Sequence, residues 1–470
     1  MDARNSTVSS IAGPGAAALK QGTELRRVLT MRDLVLLIIG TVVGSGIFLV
    51  PGLVLRSVGN SVVAALLVWL TGGMLSLLGA LTYGELSAMK PEAGGLYVYI
   101  RDCFGSLLAF LFGWTLFLVI SSGSVATLAV AFSNYLGEFV ALPSWAVKLV
   151  SVAMILTIAI VNVRGTRQSS DLLNAATFVK VSAILAMSGA LLYLEKTPTS
   201  LAIPAISIAH VGASASGFGV AMISVLWAYE GWQYATFSAG ETVNAQRNFP
   251  LAFLVGMVAL IGIYVCANLG YIAALGPDGV ANSTRVAASA VSIVMGAGIA
   301  KLVAITILIS MFSAANSIIL TGTRVFYAMA KDGLFFKPLA KLHPRFGTPL
   351  FAVIAATTWS AVLAVSGTFE QLLTYVVFIG WIFYALAAAC VFIYRTRDPN
   401  AVRPYRVPGY PFTPIIFIVT AMVIVINMIM TQPGRAAVGL GIALLGVPVY
   451  VFWNNFGQRG KEASASESDG

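Results

Sequence analysis

Apolar residues run along this chain in blocks of about twenty, separated by short polar segments rich in Gly and Pro. The blocks predict twelve helices, over 33–56, 61–87, 106–136, 144–163, 171–194, 215–240, 251–275, 300–330, 349–367, 371–395, 412–432 and 436–456. Crossing the hydrocarbon of a bilayer takes roughly 20 apolar residues in a helix, so these blocks are read as spans. The small apolar segment 281–296 is predicted as a short helix on the outer side. Sustained apolar/polar alternation is absent, which argues against an outer-membrane barrel. The expected organisation is all-α and polytopic: a polar tail over 1–30, one transmembrane domain over 31–456, and a polar, disordered tail over 457–470.

Composition agrees. Hydrophobic residues make up 58% of the chain and charged ones 10%, whereas a soluble domain carries about 25% charged residues. The net charge of +10 would suit a nucleic-acid partner if it formed a face. Instead the basic residues sit at the ends of apolar blocks, so no nucleic acid is expected and the partner surface is lipid. Their distribution orients the chain. With the N-terminus in the cytoplasm, 21 Lys and Arg fall inside and 6 outside, with Lys180 alone in a span. That bias places both termini in the cytoplasm. The first residues, 1–22, lack the apolar run of a signal peptide.

Cys103, Cys266 and Cys390 lie in or beside apolar stretches and suggest no disulfide framework. The two histidines, His210 and His343, fall in predicted loops. No metal-ligand spacing, nucleophile–base pair or paired carboxylates occur within the spans, so no catalytic residue, metal or cofactor is expected. Nor does a selectivity-filter ring appear, as a channel would require.

Two spans are interrupted. The first reads LVLLIIGTVVGSGIFLVPG, with Gly44 and Gly46 flanking Ser45; the sixth carries Glu230 and Gly231 in GVAMISVLWAYEGWQYATFSAGE. Glycine weakens a helix by about 1 kcal/mol relative to alanine, so closely spaced glycines favour a break. First and sixth spans correspond if the chain repeats every five, as 33–194 and 215–395, with the last two helices, 412–456, outside the repeat. Paired breaks at corresponding places point to a transporter's binding site. At such a break, free amides suit a carboxylate and free carbonyls an ammonium. In the first span the amides belong to Ser45, Gly46 and Ile47; in the sixth the carbonyls belong to Trp227, Ala228 and Tyr229. A zwitterionic amino acid carries both charges. The competing explanation is that the glycines only let helices pack closely.

Ionisable groups within spans are costly and usually functional. Lys180 lies near the middle of the fifth span and Glu230 in the sixth-span break. A fixed ammonium can do the work of a bound sodium ion by holding first-span carbonyls. The alternatives are a lysine snorkelling to the interface and a hinge glutamate bonded to freed amides. Glu85 and Glu241, near cytoplasmic ends, read as structural or gating residues.

Five motifs in order resemble the amino acid–polyamine–organocation superfamily, and within it the L-type transporters and their bacterial relatives. They are GTVVGSGIF (40–48), WAYEGW (227–232), GETVNAQRNFP (240–250), SAANSIILTGTRVFYAMAKDG (313–333) and RPYRVPGYPF (403–412). The resemblance covers roughly 25–456. It implies a five-plus-five inverted repeat with broken helices 1 and 6 and substrate near the bilayer midplane. By position, the substrate carboxylate would meet the Ser45 and Gly46 amides. The amine would meet carbonyls at Val42, Trp227 and Glu230. Trp227 would be an aromatic gate, Lys180 a sodium-site surrogate, and Ser313 and Asn316 polar residues near the pocket. The implied activity is sodium-independent, alternating-access transport of neutral L-amino acids by exchange, with proton-coupled uptake and cationic or polyamine substrates as alternatives.

Two departures bear on that activity. Many eukaryotic members have glycine where Glu230 stands, which shifts expectation to small substrates such as alanine and serine. The loop near 137–144 has no cysteine, where eukaryotic light subunits join a heavy chain. No disulfide-linked partner is therefore expected, and a prokaryotic inner (plasma) membrane is the expected home.

Overall fold

The computed structural model describes residues 25–137, 139–194, 215–366 and 369–468. His210 and the first 24 residues lie outside them. Among the described residues, ten helices are long and apolar enough to cross a membrane by length and composition. The other two predicted spans are Leu350–Ser366, a 17-residue helix, and the sixth, which is divided as its sequence suggested. The segment expected as a short outer helix forms Val286–Met295.

Helix α1, Met31–Val42, starts where Thr30 and Asp33 cap each other: the Thr30 amide donates to Asp33 Oδ2 (2.8 Å) and the Asp33 amide to Thr30 Oγ1 (3.4 Å). It stops before the glycines. The chain resumes as α2, Gly46–Leu49, and α3, Pro51–Ser57. Next come α4, Val62–Met89, and a short helix α5, Leu96–Phe104. The third span is α6, Ser106–Thr115, a π-helical turn over Leu116–Ile120, and α7, Ser121–Leu136. Helices α8, Ser144–Val163, and α9, Thr166–Tyr193, complete the first half.

In the second half α10, Ala215–Ala228, gives way to a 3₁₀ segment over Trp232–Glu241. It is followed by α11, Ala245–Asn282, and, beyond the short helix α12 at Val286–Met295, by α13, Ala297–Lys331. Then come α14, Leu350–Ser366, and α15, Phe369–Arg397; α16, Phe412–Thr431, and α17, Pro433–Ser468, close the chain. Helix α17 includes residues 461–468 of the expected polar tail. The Lys, Glu and Ala there are strong helix formers and extend the preceding turns.

The surface is inverted relative to a soluble protein. Large apolar side chains such as Leu149 (60% exposed), Phe178 (68%) and Met430 (77%) face outward, while hydroxyl groups are buried. Many of these return their hydrogen bond to their own helix: Thr115 to the Leu111 carbonyl, Ser124 to Ile120, Thr127 to Gly123 and Ser188 to Ile184. In hydrocarbon a polar group has no water to turn to, so it is satisfied internally.

The end of the bundle that carries residue 25 is laced with ion pairs. The Arg324 guanidinium on α13 donates to Glu241 from Nε (2.7 Å) and Nη2 (3.1 Å), and to Thr166 Oγ1 (2.7 Å), which itself donates to Glu241 (2.8 Å). Both charged side chains are buried. The backbone carbonyl of Glu241 accepts from the amides of Val28 and Leu29, and the Val243 amide donates to Leu29. Residues 28 and 29, within the expected N-terminal tail, thus pair with the domain through backbone hydrogen bonds that no side-chain pattern announces. A second junction forms at Glu85, which accepts two bonds from Arg395 (2.9 and 2.6 Å) and one from the Val407 amide (2.7 Å).

Removing one partner of a buried ion pair strands the other charge, at a cost of about 3–5 kcal/mol. Arg324→Ala is expected to lower the melting temperature of the purified protein well beyond Arg167→Ala, whose guanidinium is half-exposed beside Asp33 and Asp171. Equal melting temperatures for the two variants would show that the Glu241 junction does not stabilise the bundle.

Candidate functional site

Between Val42 and Gly46 the first span loses its regular hydrogen bonds. The Val43 amide still donates to the Ile39 carbonyl, and the Gly44 amide turns back to Val42 (2.8 Å). The amides of Phe48 and Leu49 both use the Ser45 carbonyl. Those of Ser45, Gly46 and Ile47 stand at the start of a helix, where no preceding turn offers a carbonyl. The sixth-span break mirrors this. The Glu230 amide donates to the Trp227 carbonyl (3.0 Å), and Gly231 adopts φ +126°, open to glycine and strained for a side chain.

The freed carbonyls of the first break are satisfied from other helices. Lys180 on α9 is fully buried, and its ammonium donates to the carbonyls of Gly40 (2.6 Å) and Val43 (2.7 Å). It points inward to the break, not along the helix to the interface. From α13, the Ser310 hydroxyl reaches the Val43 (2.8 Å) and Gly44 (3.2 Å) carbonyls, and Ser317 pairs with Thr41. From α11, the single hydroxyl proton of Tyr264 is shared between Val42 O (3.1 Å) and Ala228 O (2.9 Å), joining one break to the other.

A cavity of about 30 Å³ lies between the breaks. Val42, Gly44, Ser45 and Gly46 line it from the first span, and Trp227, Glu230 and Gly231 from the sixth. Ser124, Leu128 and Ile318 line it from neighbouring helices. The buried Ser45 hydroxyl has no hydrogen-bond partner among the described residues. Room of this size holds water, so admitting an amino acid requires the surrounding helices to separate.

Not every residue singled out in the sequence reaches this cavity. Ile47 and Ala228 lie at the breaks without lining it. Asn316 faces elsewhere: its amide oxygen accepts from Asn162 (2.8 Å) and its amide nitrogen donates to Ser169 Oγ (3.1 Å), knitting α13 to α8 and α9. Ser313 is buried with its hydroxyl unpartnered and is not a lining residue. The carbonyls proposed for the amine are also partly spoken for, since Val42 accepts from both Gly44 and Tyr264.

Tyr264, Ser310, Ser317 and Ser124 escaped the sequence reading. The TM-buried serine run had a readable signal, small hydroxyl residues at 310, 313, 317 and 321, three or four apart on one helix face. Tyr264 had none, being one aromatic among many. Ser124 follows the π-helical turn at 116–120, a local widening frequent at functional sites and invisible to periodicity.

Residues 29–453 match the amino acid permease family. The chain belongs to that family. This permease is similar along most of its length to curated transporters. It is 29% identical over 431 residues to a serine/threonine exchanger of Bacillus subtilis, covering 91% of this chain and 96% of that one. It is 31% identical over 443 residues to the human cystine/glutamate transporter (93% and 87% covered). With the human large neutral amino acids transporter small subunit 2 it shares 29% over 462 residues (95% and 84%). The permease is therefore a multi-pass amino-acid transporter and not an enzyme.

The glycines divide between two duties. An added Cβ at Gly46 would stand 2.6 Å from both Cα and Cβ of Ala228, so even alanine forces the two broken spans apart. At Gly44 the nearest atoms are side-chain carbons of Leu128 (3.3 Å) and Ala314 (3.5 Å), which can yield. The close-packing explanation thus holds for Gly46, and a substitution there does not isolate a substrate contact. Gly46→Ala is expected to lower the melting temperature of the purified permease by several degrees more than Gly44→Ala. The reverse order in a thermal melt would contradict the contact.

Proposed function

We propose that this permease carries neutral L-amino acids, small ones such as serine and alanine, without sodium, by alternating access and by exchange. The observation that carries the reading is the placement of Lys180. Its ammonium bonds the Gly40 and Val43 carbonyls, which shape the break whose next amides line the cavity. A covalently tethered cation at this point removes the need for a dissolved one. The Ser45 and Gly46 amides would receive the carboxylate, and Trp227, before the sixth-span break, would cover the substrate from the outer side. Small substrates fit the crowding of Trp227, Glu230 and Tyr234 around the cavity. Exchange is favoured by the likeness to a serine/threonine exchanger.

The same reading places twelve spans as an inverted five-plus-five repeat plus two, in a plasma membrane with both termini in the cytoplasm. Its support is the correspondence of the two breaks and the inward excess of Lys and Arg. The permease would work without a disulfide-linked partner: Cys103, Cys266 and Cys390 are free, and none stands in the described part of the loop between α7 and α8.

Proteoliposomes loaded with L-serine should take up labelled L-serine equally in sodium and choline buffers, and unloaded ones far more slowly. A strict sodium requirement would overturn the role given to Lys180, and equal uptake into unloaded vesicles would overturn exchange. Lys180→Ala leaves the carbonyls without their charged donor, a loss of roughly 1.5–3 kcal/mol, and should cut transport at least about tenfold with membrane insertion intact. Wild-type flux in that variant would show that the lysine only fills space.

A further inference from the structure

Glu230 is the one carboxyl side chain lining the cavity, and no cationic side chain among the described residues pairs with it. Its Oε1 accepts from Gln233 Nε2 (2.5 Å) and from the Tyr384 hydroxyl (2.5 Å). Gln233 also donates to Tyr384 (2.8 Å), so two linked side chains, one from the 3₁₀ segment and one from α15, fix that oxygen in place. Oε2 makes no hydrogen bond to the described protein, and the residue is partly open and lines the cavity. The titratable groups around it are tyrosines: Tyr83 from α4, Tyr234 from the 3₁₀ segment and Tyr384 from α15. No Lys or Arg among the described residues forms an ion pair with it. Lys180, the other ionisable group at the breaks, is committed to the Gly40 and Val43 carbonyls.

A carboxylate held within a membrane protein without a cation is costly. Two things can relieve it, a proton or a cation that enters the cavity. The substrate's own ammonium is such a cation. The backbone carbonyls are partly engaged already: Val42 accepts two bonds, Ala228 one from Tyr264, and Trp227 one from the Glu230 amide.

We propose that the Glu230 carboxylate is the counter-charge of the substrate α-ammonium, and that a proton takes the ammonium's place when the site empties. This rests on the reading of the cavity as the amino-acid site and assigns one residue of it. Binding then displaces one proton: the glutamic acid loses H⁺ to water, and the carboxylate so formed receives the N–H⁺ of the zwitterion through Oε2. Release of substrate reverses the step. The empty site is then neutral at this residue, and the loaded site carries the single negative charge of the carboxylate, since the zwitterion itself adds none. A substrate with a second amine gains nothing, since one carboxylate oxygen is held by Gln233 and Tyr384.

The test is the dissociation constant of L-serine for the full-length permease in detergent, measured by calorimetry between about pH 5 and pH 8. For the wild type, Kd should rise as pH falls, by up to about tenfold per unit on the acid side. Proton release on binding should appear as a dependence of the heat on the buffer's ionisation enthalpy. Glu230→Gln should bind roughly ten- to hundredfold more weakly near neutrality, with a flat pH profile and no buffer dependence. Tyr384→Phe removes a donor to the charged form and should move the wild-type profile to higher pH, an effect that a packing role would not produce. It also keeps the proposal testable if Glu230→Gln fails to fold. A Glu230→Gln protein with wild-type affinity, or one that retains the pH dependence, overturns the proposal; so does an unmoved profile in Tyr384→Phe. If the wild type binds no amino acid at all, it is the reading of the site that fails.

Discussion

The constraint on which this structure depends is the satisfaction of backbone groups freed where two spans break inside a bilayer. Water cannot relieve them there, and each unpaired buried group costs about 1–3 kcal/mol. The permease meets the cost with side chains borrowed from other helices. Lys180 and Ser310 take the carbonyls of the first break, and Tyr264 bridges the first break to the sixth. Carbonyls are consumed while amides at Ser45, Gly46 and Ile47 are spared. That asymmetry leaves the cavity electropositive on the first span and, through Glu230, acidic on the sixth. A zwitterion presents the complementary pair of charges.

The same helices that brace the breaks reach the ion pairs at the end of the bundle carrying residue 25. Helix α13 carries Ser310 and Ser317 against the first break and Arg324 against Glu241. Helix α9 carries Lys180 and, at its start, Thr166 in the Arg324–Glu241 cluster. The 3₁₀ segment runs from the sixth-span break to Glu241. Continuous elements therefore join the broken spans to the junction that holds residues 28 and 29.

Much of this was legible in the chain because membrane helices write themselves in long apolar blocks and helix breaks in glycine. The spans, both breaks, Lys180 and Glu230 followed from those signals. What stayed hidden depended on three-dimensional partnership. The family resemblance put Asn316 near the pocket, whereas its amide is bound to Asn162 and Ser169. Gly46 looked like a residue kept small for a carboxylate, and the nearest obstacle to a side chain is Ala228. Tyr264 carries no local pattern that separates a clamp from a packed aromatic ring.

The central claim is that a tethered ammonium holds the first break so that its spared amides can receive a carboxylate with no sodium present. Hydrogen–deuterium exchange of the peptide covering Val42 to Val50, with and without L-serine in sodium-free buffer, tests it most directly. The account predicts that serine slows exchange at Ser45, Gly46 and Ile47 in the wild type, while the already bonded amides of Phe48 and Leu49 change little. Unchanged exchange at those three amides in a protein that demonstrably binds serine would contradict it.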